Sequence, residues 1–182
     1  MGLVHFPVYN KNYQKIASAI TTLDLHDLSR LAKTYGVKKL FIITPLVDQQ
    51  KLADRILSHW IKGYGSRYNR HRKEALELAC VIPSIEMAVK TVYEGEGEAP
   101  LTIATDASER DCRSISYESA RGLLLDDRAV ILLLGTAWGL HGEALKLMDY
   151  VLDPILGRTG YNHLSVRAAS AIILDRLAGH IR

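Results

Sequence analysis

Cysteine is scarce in this sequence: Cys80 and Cys112 are the only two. They stand far apart and form neither a CxxC pair nor a zinc-ligand spacing, which excludes a disulfide scaffold and a zinc ribbon. The expectation is two reduced thiols in a cytoplasmic protein. No cluster of metal ligands stands out, so no metal is expected. No apolar run approaches the roughly 18 residues of a membrane-spanning helix, so no membrane partner is expected. The opening MGLVHFPVYNK lacks a charged segment followed by a long apolar one, so no secretory leader is expected. Phe6 stands where a myristoylation signal wants Ser or Thr. Repeats and low-complexity tracts are missing as well. Charge of one sign is also lacking: 23 Lys+Arg against 20 Asp+Glu leave +3. That balance does not establish a nucleic-acid partner, so the distribution of charge must carry the argument.

What is present is ordinary globular material. The 182 residues suit one domain, 1–182, long enough to bury its own core. Hydrophobic content of 48% and charged content of 24% exclude a disordered or coiled-coil chain. Apolar periodicity predicts strands over 3–9, 37–44, 79–82, 101–105, 129–134 and 150–152. Pro7 weakens a central position for the first of them. Helices are predicted over 23–35, 49–61, 85–93, 117–126, 142–148 and 164–177, with Thr22 or Asp24 capping the first and Gly36 ending it. Gly95 to Glu98 reads as a solvated turn, and the last helix, apolar around most of its circumference, as deeply buried. The alternation implies an α/β fold: a mostly parallel six-stranded sheet flanked by helices. Ligands of such sheets lie beyond the carboxyl ends of the strands, which directs attention to 44–48, 105–114, 135–141 and 153–163.

Two of these loops carry most of the signal. Gly135-Thr-Ala-Trp-Gly139 follows the most apolar strand, AVILLL. Its glycines permit positive φ and close approach to a ligand, but it matches neither a P-loop nor GxGxxG. An adenine or a neutral ligand held by backbone groups suits it better than a pyrophosphate; a plain glycine turn is the alternative. The second loop, Asp153 to Ser165, is long and enters the last helix directly. Asn162 or His163 is expected to cap that helix, or else to meet a ligand.

At these residues a resemblance emerges. Ile131 to Leu177 resembles the cofactor-binding half of the SPOUT RNA methyltransferases, trefoil-knotted α/β enzymes. The SpoU branch has a G-x-E-x-x-G-L loop after a strand, an Ile-Pro-type segment, and S-L-N-V-S-V-A entering the last helix. Here these read ILLLGTAWGL, DPILGRTG and YNHLSVRAASAIIL. The SpoU pattern N-x-G-x-x-x-R-T-A-x-x-F-G-V is echoed from Asp24 through Arg30 to Val37. More narrowly, the chain resembles a small bacterial family of stand-alone SPOUT methyltransferases with no assigned RNA target.

The resemblance implies S-adenosylmethionine as cofactor, bound in a C-terminal trefoil knot formed within about 101–177. The donor would be held by Leu134, Gly135, Thr136, Gly139 and Leu140, by Ile155, Leu156 and Gly157, and by Tyr161, Asn162, His163, Leu164 and Ser165, with Thr105 near the adenine. It also implies a homodimer joined through the knot. Three departures bear on the reaction: the loop glutamate is absent, His163 replaces an asparagine, and Asp24 replaces another. They weaken the case for ribose 2′-O-methylation and touch cofactor binding less, because backbone contacts tolerate side-chain change.

The segment Lys62-Gly-Tyr64-Gly-Ser-Arg67-Tyr68-Asn-Arg70-His-Arg72-Lys73 concentrates five cations and no acid. Read as a flexible loop, it would meet RNA phosphates and stack tyrosines on bases; a merely solvated loop is the alternative. Arg110 and Arg113 would extend the patch. Methyl transfer needs an aligned nucleophile and a group that manages its proton. Arg30, matched to the SpoU arginine, is the first catalytic candidate, against a surface arginine paired with Asp27. His163 and Asp24 follow. The leading reading is an S-adenosylmethionine-dependent methyltransferase acting on tRNA or rRNA. Beside it stand a non-catalytic RNA- or ribosome-binding protein on the same fold and a different small α/β enzyme acting on a nucleotide or small molecule.

Overall fold

The structure is a computed structural model, and it describes residues 1–108, 113–126 and 128–180. In chain order the strands are β1 Gly2–Val4, β2 Val8–Tyr9, β3 Lys15–Ile16, β4 Leu40–Ile43, β5 Ala79–Ile82, β6 Leu101–Thr105, β7 Ser114–Ile115, β8 Val130–Gly135 and β9 Tyr150–Leu152. The helices are α1 Thr22–Thr34, α2 Val47–Ile61, α3 Tyr64–Tyr68, α4 Arg70–Leu76, α5 Ile85–Glu96, α6 Tyr117–Leu125, α7 Gly142–Lys146 and α8 Val166–Ala178.

The strands form a seven-stranded sheet of order β5-β4-β1-β8-β6-β9-β7, every described pair parallel, and a small antiparallel ribbon of β2 and β3. The apolar run of β8 is explained by cover on both faces. Leu132 and Leu134 face the cluster built with α1 and α8, whereas Ile131 and Leu133 face the one built with α5 and α7. Register places Leu3 between Ile42 and Leu134. The chain steps from β1 through β4 to β5 in one direction and sets β8 on the other side of β1. The carboxyl ends of β1 and β8 therefore flank a point where the strand order reverses, the usual place for a ligand crevice.

The sheet has one strand more than the six expected. Two-residue β7 is too short to leave a periodicity, and it is held by pairing with β9. The expected strand over 3–9 divides: β1 lies centrally and ends at Val4, before Pro7, and Val8–Tyr9 belongs to the ribbon. Thr21, one residue earlier than expected, caps α1 by accepting from the Asp24 N–H, and Gly36 follows its end at φ +69°. Gly95 lies inside α5, which stops only at left-handed Gly97. α8 is not deeply buried. Only Ser170, Ile173, Leu174 and Leu177 are enclosed, against α1 and α6, and the rest of the helix stays partly or wholly exposed. The basic segment is no flexible loop but two short helices, α3 and α4, the second capped by Asn69.

Candidate cofactor and RNA site

The turn after β8 is built on two glycines with different reasons. A Cβ on Gly135 would lie 2.6 Å from the Leu140 nitrogen and 2.9 Å from the Gly139 carbonyl carbon, because the turn folds back on itself. Gly139 adopts φ +95°, a conformation that side chains resist. Ala137 also sits at positive φ, at +51°. The β2–β3 ribbon braces this turn. Trp138 N–H donates to Tyr9 O, Tyr9 N–H to Gly139 O, and His141 N–H to Pro7 O. Thr136 N–H and Oγ1 both donate to Val4 O. The expectation that the backbone of this turn grips a ligand is thereby narrowed. The N–H groups of Thr136 and Gly139 are occupied internally, whereas the Leu140 N–H has no partner among the described residues. The side chains of Leu134 and Leu140 are core, not site.

The long loop 153–165 meets this turn from the side. His163 lies between two aromatic rings, 6.0 Å from Trp138 and 5.2 Å from Tyr161. Asn162 donates its amide to Ala107 O at 2.7 Å, which ties the loop to the end of β6. Thr105 closes β6 with its hydroxyl donating to Leu133 O. The loops after β6, β8 and β9 thus meet through Ala107, Asn162, His163 and Trp138. Neither Asn162 nor His163 caps α8; Ser165 does, accepting from the Ala168 N–H. That leaves both His163 ring nitrogens without a hydrogen bond among the described residues. Within 154–165, the Tyr161 N–H, donating to Thr159, is the sole hydrogen-bonded backbone donor among the described residues. Leu156, Tyr161 and Leu164 are exposed there, beside exposed Trp138.

Asp24 and Arg30 share α1 but not a role. Asp24 is buried, and both of its oxygens are occupied: Thr21 donates to one at 2.6 Å, Arg167 to the other at 3.1 Å. Such a carboxylate holds its neighbours in place. Arg167 also approaches Asp27 at 3.3 Å, so Asp27 pairs across to α8 and not with Arg30 as one sequence reading had it. Arg167 was missed by sequence reasoning. It lies inside the motif that enters the last helix, but its significance is a contact 143 residues away. Arg30 is exposed, makes no ion pair among the described residues, and borders a surface depression with Asp27, Leu31 and Arg167.

α4 packs along α1 and carries the basic segment toward Arg30. Tyr64 and Tyr68 are largely exposed and stacked on one another, with centroids 6.3 Å apart. Lys62 and Arg67 are exposed cations with no ion pair among the described residues. Arg70 and Lys73 instead reach acids one turn on, Glu74 at 3.0 Å and Glu77 at 3.7 Å, which the segment by itself does not contain. Arg72 lies 4.4 Å over the Trp60 ring. Of the two added arginines, Arg113 is turned away from any such patch: its guanidinium donates to the Lys146 and Met148 carbonyls behind α7. Arg110 lies outside the described residues, as does Cys112.

A family described as SAM-dependent RNA methyltransferase matches residues 1–179. The chain belongs to this family. That family's cofactor is S-adenosylmethionine and its chemistry methyl transfer to RNA, and the match does not favour the non-catalytic alternative. The chain is 42% identical over 178 residues to a tRNA (guanine-N(1)-)-methyltransferase of Oleidesulfovibrio alaskensis. That match covers 98% of this chain but 41% of the relative, so the chain spans about two fifths of that protein's length. Among solved structures, a probable methylase family protein from Haemophilus influenzae superposes with TM-score 0.63 at 19% identity, over 88% of this chain and 62% of that one. The SpoU methyltransferase AviRb from Streptomyces viridochromogenes, in complex with AdoMet, gives TM-score 0.55 at 17% identity, over 88% and 54%. The SpoU-like α/β fold inferred from the loop motifs is thus the fold observed.

Proposed function

We propose that the convergent loops at the ends of β6, β8 and β9 hold S-adenosylmethionine, and that the RNA methylated is a tRNA. One observation carries the site. The unpartnered N–H groups of Leu140 and of 154–165 border exposed aromatic and leucine side chains, a backbone-rich and partly apolar surface that suits an adenosine and an amino-acid tail. In this reading Leu134, Gly135, Thr136, Gly139 and Leu140, Ile155 to Gly157 and Tyr161 to Ser165 hold the donor, with Thr105 beside the adenine. When bound, the cofactor supplies an electrophilic methyl group on a sulfonium. The chain's own residues then do the rest. Arg30 orients the RNA by charge, since a guanidinium stays protonated. His163, with neither ring nitrogen hydrogen-bonded, is the side chain placed to accept the nucleophile's proton. Asp24 anchors Arg167 and so sets α1 against the start of α8.

The tRNA assignment follows the name of the Oleidesulfovibrio alaskensis relative. A trefoil knot is proposed for 101–177. A homodimer covering Leu156, Leu164 and Trp138 would remove the exposed apolar surface around the site. No helix among the described residues is long and apolar enough to cross a membrane, and the proposed compartment is the cytoplasm, where tRNA is found.

The test is isothermal titration of S-adenosylmethionine into wild type, Gly135→Val and Gly139→Val. Micromolar binding by wild type, lost in both variants while their circular dichroism is retained, is the expected result. No binding by wild type would sink the site and the methyltransferase mechanism with it.

A further inference from the structure

Beside Arg30, on the side away from α8, lies a depression of about 310 Å³ lined by Arg30, Asn69, His71 and Arg72. Every lining residue can donate a hydrogen bond. Asn69 turns its amide oxygen to the Arg72 N–H at 2.9 Å, which leaves its NH2 group as the free end. No carboxylate engages Arg30 or Arg72 among the described residues: Asp27 is taken by Arg167, and Glu74 lies against Arg70 and His71. Two guanidiniums therefore border one concavity, neither with an ion pair among the described residues. The nearby His26 ring reports the same field. Burial, then the Arg72 charge, holds its pKa below the ordinary value, with Asp27 opposing and Arg30 adding to the effect.

Arg72 is not free to swing. Its guanidinium lies over the Trp60 ring, a cation–π contact that fixes a side chain otherwise rich in rotamers. Trp60 is fixed in turn. His26 meets it edge-on at 5.2 Å, and Gly65 lies so close that a Cβ there would stand 2.6 Å from the ring.

We propose that this depression is a seat for one phosphodiester of the RNA backbone, and that Trp60 is a positioning residue that holds Arg72 in it. The seat rests on the RNA-methyltransferase reading and deepens it, because it joins the exposed cations Lys62 and Arg67 to Arg30 as one track for the strand. Phosphate contacts of this kind set register and leave sequence to be read elsewhere.

Filter binding of radiolabelled bulk tRNA across a salt series tests it, with S-adenosylmethionine titration confirming that each variant is folded. Arg72→Gln is expected to weaken binding about tenfold and to lower the salt slope by about one, as loss of one phosphate contact does. Trp60→Leu is expected to reproduce that loss, Trp60→Phe to restore most of it, and Trp60→Leu to add little on top of Arg72→Gln. Wild-type affinity and slope in Arg72→Gln, or full additivity of the two losses, would overturn the seat while a large loss in Lys62→Gln/Arg67→Gln left RNA binding in place. Failure of wild type to retain tRNA would instead overturn the RNA reading, and the seat with it.

Discussion

His5 shows how much a single residue near the site can decide. It is fully buried at the end of β1, with Nδ1 2.9 Å from Ser18 Oγ, whose hydroxyl also meets Thr136. Burial pushes its pKa down from 6.5 to about 4, against the pull of the Asp24 carboxylate. The unfolded chain therefore binds the extra proton between those values. The stability that neutral His5 contributes is complete above pH 6.5 and is lost as pH falls toward 4, by about 3 kcal/mol over the window. Urea denaturation of wild type and His5→Gln from pH 7.5 to 4.5 should show a shallower acid decline in the variant; equal slopes would remove this explanation. Gly65 is a second such residue. Because its Cβ would press on Trp60, Gly65→Ala is expected to destabilise by about 1–3 kcal/mol, read from the same denaturation curves. Neither effect is legible in the sequence, where His5 stands beside no motif and Gly65 is one glycine of the basic segment; both acquire meaning only from what packs on them.

At the scale of elements, α8 links the proposed donor site to α1. Ser165 caps its first turn and Arg167 ties that turn to Asp24 and Asp27. Ser165→Ala should lower stability by about 1 kcal/mol, the usual loss of an N-cap, and should weaken S-adenosylmethionine binding several-fold. Retained affinity with lowered stability would separate the cap from the site. Sequence periodicity recovered α1, α2, β5, β6 and β9 to within a few residues, because each is long or strongly apolar enough to show its period. It failed at β7, which has two residues, and at α3 and α4. In the latter, glycine and charge suggested a loop. Helix is nevertheless imposed by Asn69 capping, by Ala75 and Leu76 packing into the core, and by acids one turn beyond Arg70 and Lys73. The four strand-end loops were identifiable because a parallel sheet places its ligands at one edge whatever the loops contain.

Across the whole molecule, large apolar side chains are exposed on many elements, and four of them lie on the site loops. Trp138, Leu156, Tyr161 and Leu164 are all exposed, and all belong to the two loops of the proposed donor site. A second copy covering them would explain why such side chains remain outside the core. Analytical ultracentrifugation should find wild type dimeric and Leu156→Asp/Leu164→Asp monomeric, with donor binding reduced in the monomer. A monomeric wild type would overturn the dimer.

The sequence by itself determined the α/β class, the apolar strands, the glycine turn after β8 and the order of motifs that placed the chain among RNA methyltransferases. These are properties of consecutive residues, and local periodicity and spacing carry them. Tertiary structure alone decided that Asp24 belongs to Arg167, that Arg113 binds the Lys146 and Met148 carbonyls, that β2 and β3 brace the glycine turn, and that Arg72 lies over Trp60. Each of these joins residues on different elements. Such contacts are set by which faces the sheet buries and how the helices pack over it, and no window along the chain contains both partners together with the elements that orient them.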